Sequence, residues 1–240
     1  MRYGIFGDIH GNLEALETVV AQMEGQNINE YLCMGDLVGY GANPEECVRI
    51  VRDLGALTVV GNHDHAALDH LDVAYFNQYA REAALWTREQ LSEDAKQWLH
   101  ERPFVEHMPD FIIVHGSLQT PELFNYVTTI KDAEFNFRLM DKPILFLGHS
   151  HQPLAFFDTE PMTYTMDHNF QISLEYKSIV NVGSVGQPRD EDPRAAWALY
   201  DDEAGLITIN RVEYDIERAA GKILEAGLPQ ALALRLSLGK

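Results

Sequence analysis

Apolar runs and helical apolar faces alternate along the first half of the chain. Residues 2–6 read as a buried strand that stops at Gly7. Asn12 can cap a helix whose apolar face is Leu13, Leu16, Val19, Val20 and Met23, a spacing close to about 3.6 residues. Residues 31–34 are the next strand. The run Asn43-Pro44-Glu45-Glu46 is a helix start: a cap, a proline at the first position, then acids in the first turn. Val48, Ile50, Val51 and Leu54 give this helix its apolar groups, Gly55 stops it, and residues 57–60 form a third strand. Strand alternating with helix predicts a parallel sheet with helices packed against it.

Residues 66–102 are helical in pattern and rich in aromatics, with Tyr75, Phe76, Tyr79, Trp86 and Trp98. Two readings fit: a helical excursion with its own small core, or a cap that narrows a site. Strands return at 111–114 and 144–147. Beyond residue 153 the runs shorten, to 154–157, 170–174, 179–182, 195–200 and 206–210, with a hairpin turn at 201–205. This texture predicts a second, largely antiparallel sheet. Leu232, Leu234, Leu236 and Leu238 alternate as in a strand, while neighbouring alanines favour a helix. That choice stays open here, as does the choice between self-packing and a homo-oligomer contact. No repeat, low-complexity tract or linker interrupts residues 1–240, which are expected to form one domain.

Composition narrows the function. The 240 residues are 46% hydrophobic, enough for a sizeable core. The formal charge is −19, from 37 acidic and 18 basic residues. Such a surface repels polymeric nucleic acid and anionic membranes. The field also opposes an approaching phosphate, unless bound metal cations reverse its sign locally. The two cysteines, Cys33 in a strand run and Cys47 in a helical pattern, read as core thiols in a reducing compartment. No run has the length of a membrane span and no secretory signal opens the chain, so a cytoplasmic location is expected.

The candidate chemistry lies just past the apolar runs. Five stretches carry ligand-type side chains: Asp8-Ile9-His10, Gly35-Asp36, Gly61-Asn62-His63-Asp64, His115-Gly116 and Gly148-His149-Ser150-His151. Carboxylate, imidazole and amide oxygen together suit hard-to-borderline divalent metals and disfavour a thiolate site. Each alone has a commoner use. Asp after a strand caps helices or makes turns, Asn after Gly is turn chemistry, and a lone His115 is more often a satisfied histidine. His149 and His151 would share a face if their strand continued. His65, His70, His100, His107 and His168 fall in no such stretch and read as ordinary histidines.

Taken in order, the five stretches resemble the calcineurin-like metallophosphoesterase superfamily, whose pattern is D-x-H, G-D, G-N-H-[D/E], H and G-H-x-H. The resemblance covers residues 8–151. It implies an α/β fold of two facing mixed sheets flanked by helices, a four-layer α/β/β/α sandwich. It also implies two divalent metals. One would take Asp8, His10 and His151; the other would take Asn62, His115 and His149; Asp36 would bridge them. Mixed nitrogen and oxygen ligation suits Mn first, then Fe, Zn or Ni. The implied nucleophile is a hydroxide between the metals, and the site keeps net positive charge for an anionic substrate. His63 is implied as the general acid, oriented by Asp64, with a structural role as the alternative.

The pattern departs from the protein serine/threonine phosphatases of the superfamily, which read G-D-x-V-D-R-G where this chain has Gly35-Asp36-Leu37-Val38-Gly39-Tyr40-Gly41. Their phosphate-gripping Arg is absent. The stretch from Asn181 to Arg189 resembles a segment of small bacterial and archaeal phosphodiesterases, and Arg189, with Asn62, would then contact the phosphate. Arg189 could equally pair with Asp190, Glu191 or Asp192. The expected function is metal-dependent hydrolysis of a small phosphodiester or phosphomonoester. The alternatives are a phosphoprotein or dinucleoside-polyphosphate phosphatase, and a non-catalytic binding scaffold.

Overall fold

The computed structural model describes residues 1–240. The first half runs β1 (Arg2–Phe6), α1 (Leu13–Glu24), β2 (Glu30–Cys33), α2 (Pro44–Asp53), β3 (Leu57–Thr58), α3 (Asn62–Ala67), α4 (Gln78–Gln90), α5 (Glu93–His100), β4 (Val105–His107) and β5 (Phe111–Val114). It continues through α6 (Ile130–Leu139), β6 (Ile144–Leu147), β7 (Leu154–Phe157), β8 (Thr163–Thr165), β9 (Asn169–Gln171), β10 (Ser178–Asn181), β11 (Ala195–Asp201), β12 (Leu206–Val212), α7 (Ile216–Glu225) and α8 (Gln230–Leu238). No helix is long and apolar enough to cross a membrane.

Two six-stranded mixed sheets result, in the orders β3-β2-β1-β11-β12-β9 and β4-β5-β6-β10-β7-β8. Their inner faces meet in a core of Tyr3, Ile5, Met34, Ile113, Phe146 and Tyr200. The outer face of the first sheet, through Phe6, Cys33 and Trp197, packs on Leu16, Val19 and Met23 of α1 and on Cys47, Val48 and Val51 of α2. The outer face of the second, through Ile112, Val114 and Leu145, packs on Ala133 and Phe137 of α6. Successive strand residues therefore serve different layers, as Ile5 and Phe6 show, because strand side chains alternate faces. Both cysteines are buried and free. The α/β/β/α sandwich is the architecture the resemblance implies.

The strands after residue 153 do not form a sheet of their own. β7, β8 and β10 join the second sheet, while β9, β11 and β12 complete the first. Strand β11 shows why: Ala195 and Trp197 face the helices while Ala198 and Tyr200 face the other sheet, so it needs a layer on each side. The heart of the second sheet is the parallel set β5, β6 and β10. Strand β3 is shorter than its apolar run, because the Val60 N–H leaves the ladder and donates to the Pro103 carbonyl.

The 66–102 excursion has no core of its own. Ala80 and Ala83 of α4 pack with Tyr40 and with Ala219, Ile223, Leu232 and Leu236 of α7 and α8. Ala95 and Leu99 of α5 join the core beneath α1 and α2. The C-terminal leucines are helical: Leu232 and Leu236, four apart, point inward, while Leu234 and Leu238 are exposed. Asn12 caps α1 by accepting from the Ala15 N–H, whereas the Asn43 side chain accepts from Lys222 Nζ and caps nothing.

Phe146 is fully buried between the sheets, its ring 5.5 Å from that of Phe111 and 5.6 Å from that of Tyr200. Phe146→Ala should lower the unfolding free energy by about 3–5 kcal/mol in a urea titration, the usual cost of an aromatic-sized cavity. A loss below about 1 kcal/mol would mean the sheets close over the gap at little cost.

Candidate metal centre

Six parallel strands deliver the site. β1, β2 and β3 run parallel in one sheet, and β5, β6 and β10 in the other. Their carboxyl ends share an edge, the usual ligand-binding edge of such sheets. Asp8 and His10 follow β1, Asp36 follows β2, Asn62 and His63 follow β3, His115 follows β5, and His149 and His151 follow β6.

The backbone that carries these side chains leaves regular geometry. Asp8, His10, Asp36, Tyr40, His149 and His151 all have positive φ, between 50° and 68°. A left-handed non-glycine residue costs roughly 1–2 kcal/mol, so its surroundings must hold it. The Asp8 N–H donates to the Gly35 carbonyl at 2.9 Å, and the Ile9 and His10 N–H groups to the Asp36 carbonyl at 2.8 and 3.0 Å. The Asp8 carbonyl accepts from Gly186 N–H and from Ser184 Oγ, at 2.9 and 2.8 Å. Two glycines permit the close approach. A Cβ on Gly61 would lie 2.1 Å from Asp36 Oδ1, and one on Gly39, at φ +87°, would lie 2.6 Å from His63 Nδ1.

The structure brings all seven candidate ligands together in two groups that share Asp36. Ligand atoms of Asp8, His10, Asp36 and His151 lie within 4.8 Å of one another, as do those of Asp36, His115 and His149. Asn62 Oδ1 joins the second group, 3.2 Å from His115 Nε2. His149 and His151 do not share a face: β6 has ended, and the two rings enter different groups. His65, His70, His100, His107 and His168 contribute to neither.

The protons decide what such a site can hold. The Nδ1 atoms of His10, His115 and His151 face the carbonyls of Val38, Met34 and Gln187 at 3.1, 2.6 and 2.6 Å. Those carbonyls can only accept, so Nδ1 carries a proton in each ring and Nε2 is left to take up a proton or a cation. Yet His10 Nε2 lies 3.1 Å from His151 Nε2, and His115 Nε2 lies 3.1 Å from His149 Nδ1. The His10–His151 approach sets two lone pairs face to face beside the buried carboxylates of Asp8 and Asp36, which calls for a cation. The donor set fits a divalent one.

Electrostatics point the same way. Burial opposes charging His115, but Asp36, at 3.3 Å, and Asp8 outweigh it and push the imidazole up to about 9. Burial pulls His10, His149 and His151 below the ordinary range. The site therefore draws in one positive charge and leaves its other imidazoles neutral, as ligands must be.

His63 stands at the mouth. Its N–H donates to Asp36 Oδ1 at 2.8 Å, and its ring lies 4.4 Å from Tyr40 and 4.8 Å from Phe76. Its Nδ1 is buried without a partner, and burial pulls the ring down to about 4. Asp64 does not orient it. The Asp64 carboxylate accepts from the N–H groups of Leu37, Val38 and Gly61, so it ties the β2 and β3 loops together. Burial, then the Asp36 charge, raises Asp64 to about 7.

Arg189 is not paired with the acids that follow it. Asp190 is taken by Arg211, and Asp192 by Arg194 and Arg211. The Arg189 N–H donates to the His151 carbonyl at 3.2 Å, and its Nη2 reaches Gln187 Oε1 at 3.1 Å and the Tyr40 hydroxyl at 3.4 Å. Arg189 Nε, Gln187 Nε2 and His63 Nδ1 are three of the eight buried polar side-chain atoms without a partner, which leaves hydrogen-bonding capacity unused around Tyr40. A cleft of about 590 Å³ opens beside His63, lined by Tyr40, Asn62, His63, Phe76, Tyr126 and His149 among others. Tyr126 stacks on the His149 ring at 3.9 Å and remains 52% exposed. Sequence reasoning missed Tyr126 and Gln187, since neither stands in a ligand-type motif; Tyr40 was visible only as a missing arginine.

Comparison with known proteins supplies the family. Residues 1–204 match the calcineurin-like phosphoesterase superfamily domain. An uncharacterized protein of Methanocaldococcus jannaschii is 39% identical over 243 residues, covering 98% of this chain and 97% of its own. A metallophosphoesterase from Sphaerobacter thermophilus has a crystal structure with a TM-score of 0.89 at 38% identity, covering 100% of this chain and 99% of its own. A symmetrical bis(5'-nucleosyl)-tetraphosphatase of Actinobacillus pleuropneumoniae is 32% identical over 135 residues, 54% of this chain and 49% of its own, so the chain spans only about half of that enzyme. With a family match over most of its length, and a buried carboxylate–imidazole cluster where both sheets end, the chain belongs to the calcineurin-like phosphoesterase superfamily and is a hydrolase of its metal-using kind.

Proposed function

We propose that this protein hydrolyses a small phosphomonoester or phosphodiester with two divalent metals, manganese first among them, held by Asp8, His10 and His151 on one side, Asn62, His115 and His149 on the other, and Asp36 between. The observation that carries this is the pair of nitrogen-to-nitrogen approaches at 3.1 Å, one in each group that shares Asp36. Bound divalent cations would supply Lewis-acid polarisation of the phosphoryl oxygens and an activated water at neutral pH. The chain's own residues do the rest. Asn62 and Arg189 grip the phosphoryl oxygens, Arg189 through its guanidinium fork. His63 faces the departing oxygen. Asp64 acts as a positioning residue, through the backbone of both ligand loops. The net charge of −19 keeps polymeric nucleic acid and anionic membranes away. The 240 residues act as one domain, and the protein works in the cytoplasm.

The dinucleoside-polyphosphate reading is the second choice. It is favoured by the aromatic cleft wall, where Tyr126 and Tyr75 are 52% and 89% exposed and can stack on a base. One experiment addresses both. Purified protein loaded with Mn, Fe, Zn or Ni is assayed with aryl phosphate monoesters, aryl diesters and a dinucleoside tetraphosphate, and its metal content is measured. The expected result is close to two equivalents of metal and turnover that a chelator abolishes. Saturation at one equivalent or none, or no turnover of any ester, would overturn the proposal.

A further inference from the structure

Arginines in so acidic a chain should all find carboxylates, and most do. Arg52 pairs with Asp94, Arg88 with Asp69, Arg211 with Asp190 and Arg218 with Glu14. The exposed Arg49 and Arg81 are unpaired. Among the arginines that are not fully exposed, Arg189 and Arg235 pair with no acidic side chain, although 37 acids are available. Both are half-buried, and both guanidiniums lie against one ring. Arg189 Cζ is 5.8 Å and Arg235 Cζ 6.0 Å from the centroid of Tyr40. Arg235 comes from α8, more than forty residues beyond Arg189, and gives its Nε to the Lys240 main-chain oxygen at 2.7 Å. No hydrogen bond engages its two Nη groups. Burial and the neighbouring Arg189 pull Arg235 below its ordinary range, as expected of two like charges held close.

Tyr40 ties this pair to the metal centre. Its ring is 4.6 Å from His10 and 4.4 Å from His63, and its hydroxyl accepts from Arg189. α8 is held in place by Leu232 and Leu236, which pack in the same cluster as Tyr40. Neither cation of this pair has an acidic side chain beside it, and holding two like charges together costs free energy that a bound anion would offset. One guanidinium suffices for the phosphoryl group under attack. The second needs its own reason.

We propose that Arg235, with Arg189 and Tyr40, forms a subsite for a second phosphoryl group adjoining the one that is cleaved, so that the protein prefers substrates with two linked phosphoryl groups over simple monoesters. This rests on the phosphoesterase reading for its use, though the anion preference exists without it. A guanidinium bonded to a phosphoryl oxygen contributes roughly tenfold or more in affinity.

The test is calorimetry with pyrophosphate and orthophosphate, on metal-loaded and on metal-stripped protein. Wild-type protein should bind pyrophosphate at least about tenfold more tightly than orthophosphate in both forms. Arg235→Met, which removes the charge but keeps an unbranched apolar side chain, should reduce that ratio by roughly tenfold, and Arg235→Lys should give an intermediate value. Arg189→Gln should weaken both anions. A wild-type ratio in Arg235→Met, or an equal loss for both anions, would overturn the subsite. Failure of the phosphoesterase reading would look different: no ester turned over by wild-type protein, with the pyrophosphate preference intact.

Discussion

Asp36→Asn should bind at most one equivalent of metal and lose at least about a thousandfold in kcat/KM, some 4 kcal/mol of transition-state stabilisation. Asp36 is the one residue common to both groups. Its Oδ2 lies 3.7 Å from His10 Nε2 and 3.3 Å from His115 Nε2, while Oδ1 accepts the His63 N–H at 2.8 Å. Asparagine can still accept that N–H, so the start of α3 should survive. What asparagine lacks is the charge and the second oxygen, which together let one side chain serve two cations. Changes to groups that merely orient ligands cost roughly ten- to a hundredfold, so loss of the shared ligand should exceed that range. Asp8→Asn is the control, because Asp8 belongs to one group only and should leave the other cation in place. Metal analysis beside steady-state kinetics reads both variants. Two equivalents retained in Asp36→Asn would remove the bridging role.

His63→Ala should separate substrates by their leaving group. An alkoxide departs badly without a proton, whereas a nitrophenolate departs unaided. General-acid catalysis contributes on the order of a hundred- to ten-thousandfold. The loss should approach that range with alkyl esters and be small with nitrophenyl esters, while metal content is unchanged. The environment sets a condition on this role. Burial pulls His63 down to about 4, with Arg189 and the other imidazoles acting in the same direction. At neutral pH the ring thus lacks its second proton until an anionic substrate arrives, and a phosphoryl dianion beside it raises its pKa. Substrate and proton should therefore bind together, and kcat/KM for alkyl esters should fall with rising pH more steeply than kcat/KM for nitrophenyl esters. Equal losses on both ester types, or metal lost along with activity, would make His63 a structural residue.

Much of this was legible because it is local. Strand, helix and cap signals act over a few residues, and they placed β1, α1, β2, α2, β5 and β6 where the structure has them. The ligand-type residues were legible because each stands just past an apolar run, and a parallel sheet sends all such ends to one edge. Locality also explains the errors. The runs after residue 153 gave no sign of which sheet each would join, since that depends on the faces other strands leave open. Leu232 to Leu238 alternate as in a strand, yet the partners that made them a helix are α7, α4 and Tyr40, all distant in sequence.

The sequence by itself determined the identity of the donors, the order in which strands present them, and the acidic surface around them. Only the tertiary structure decided how they divide. Left-handed turns at His149 and His151 send two residues two positions apart into different groups. Backbone amides of Leu37, Val38 and Gly61 claim Asp64 away from His63. The guanidiniums that lie against Tyr40 come from distant segments, Arg189 from the loop after β10 and Arg235 from α8. The physical reason is common to all three. A motif names side chains, whereas the bonds and charges that direct them come from chain segments that only folding brings near.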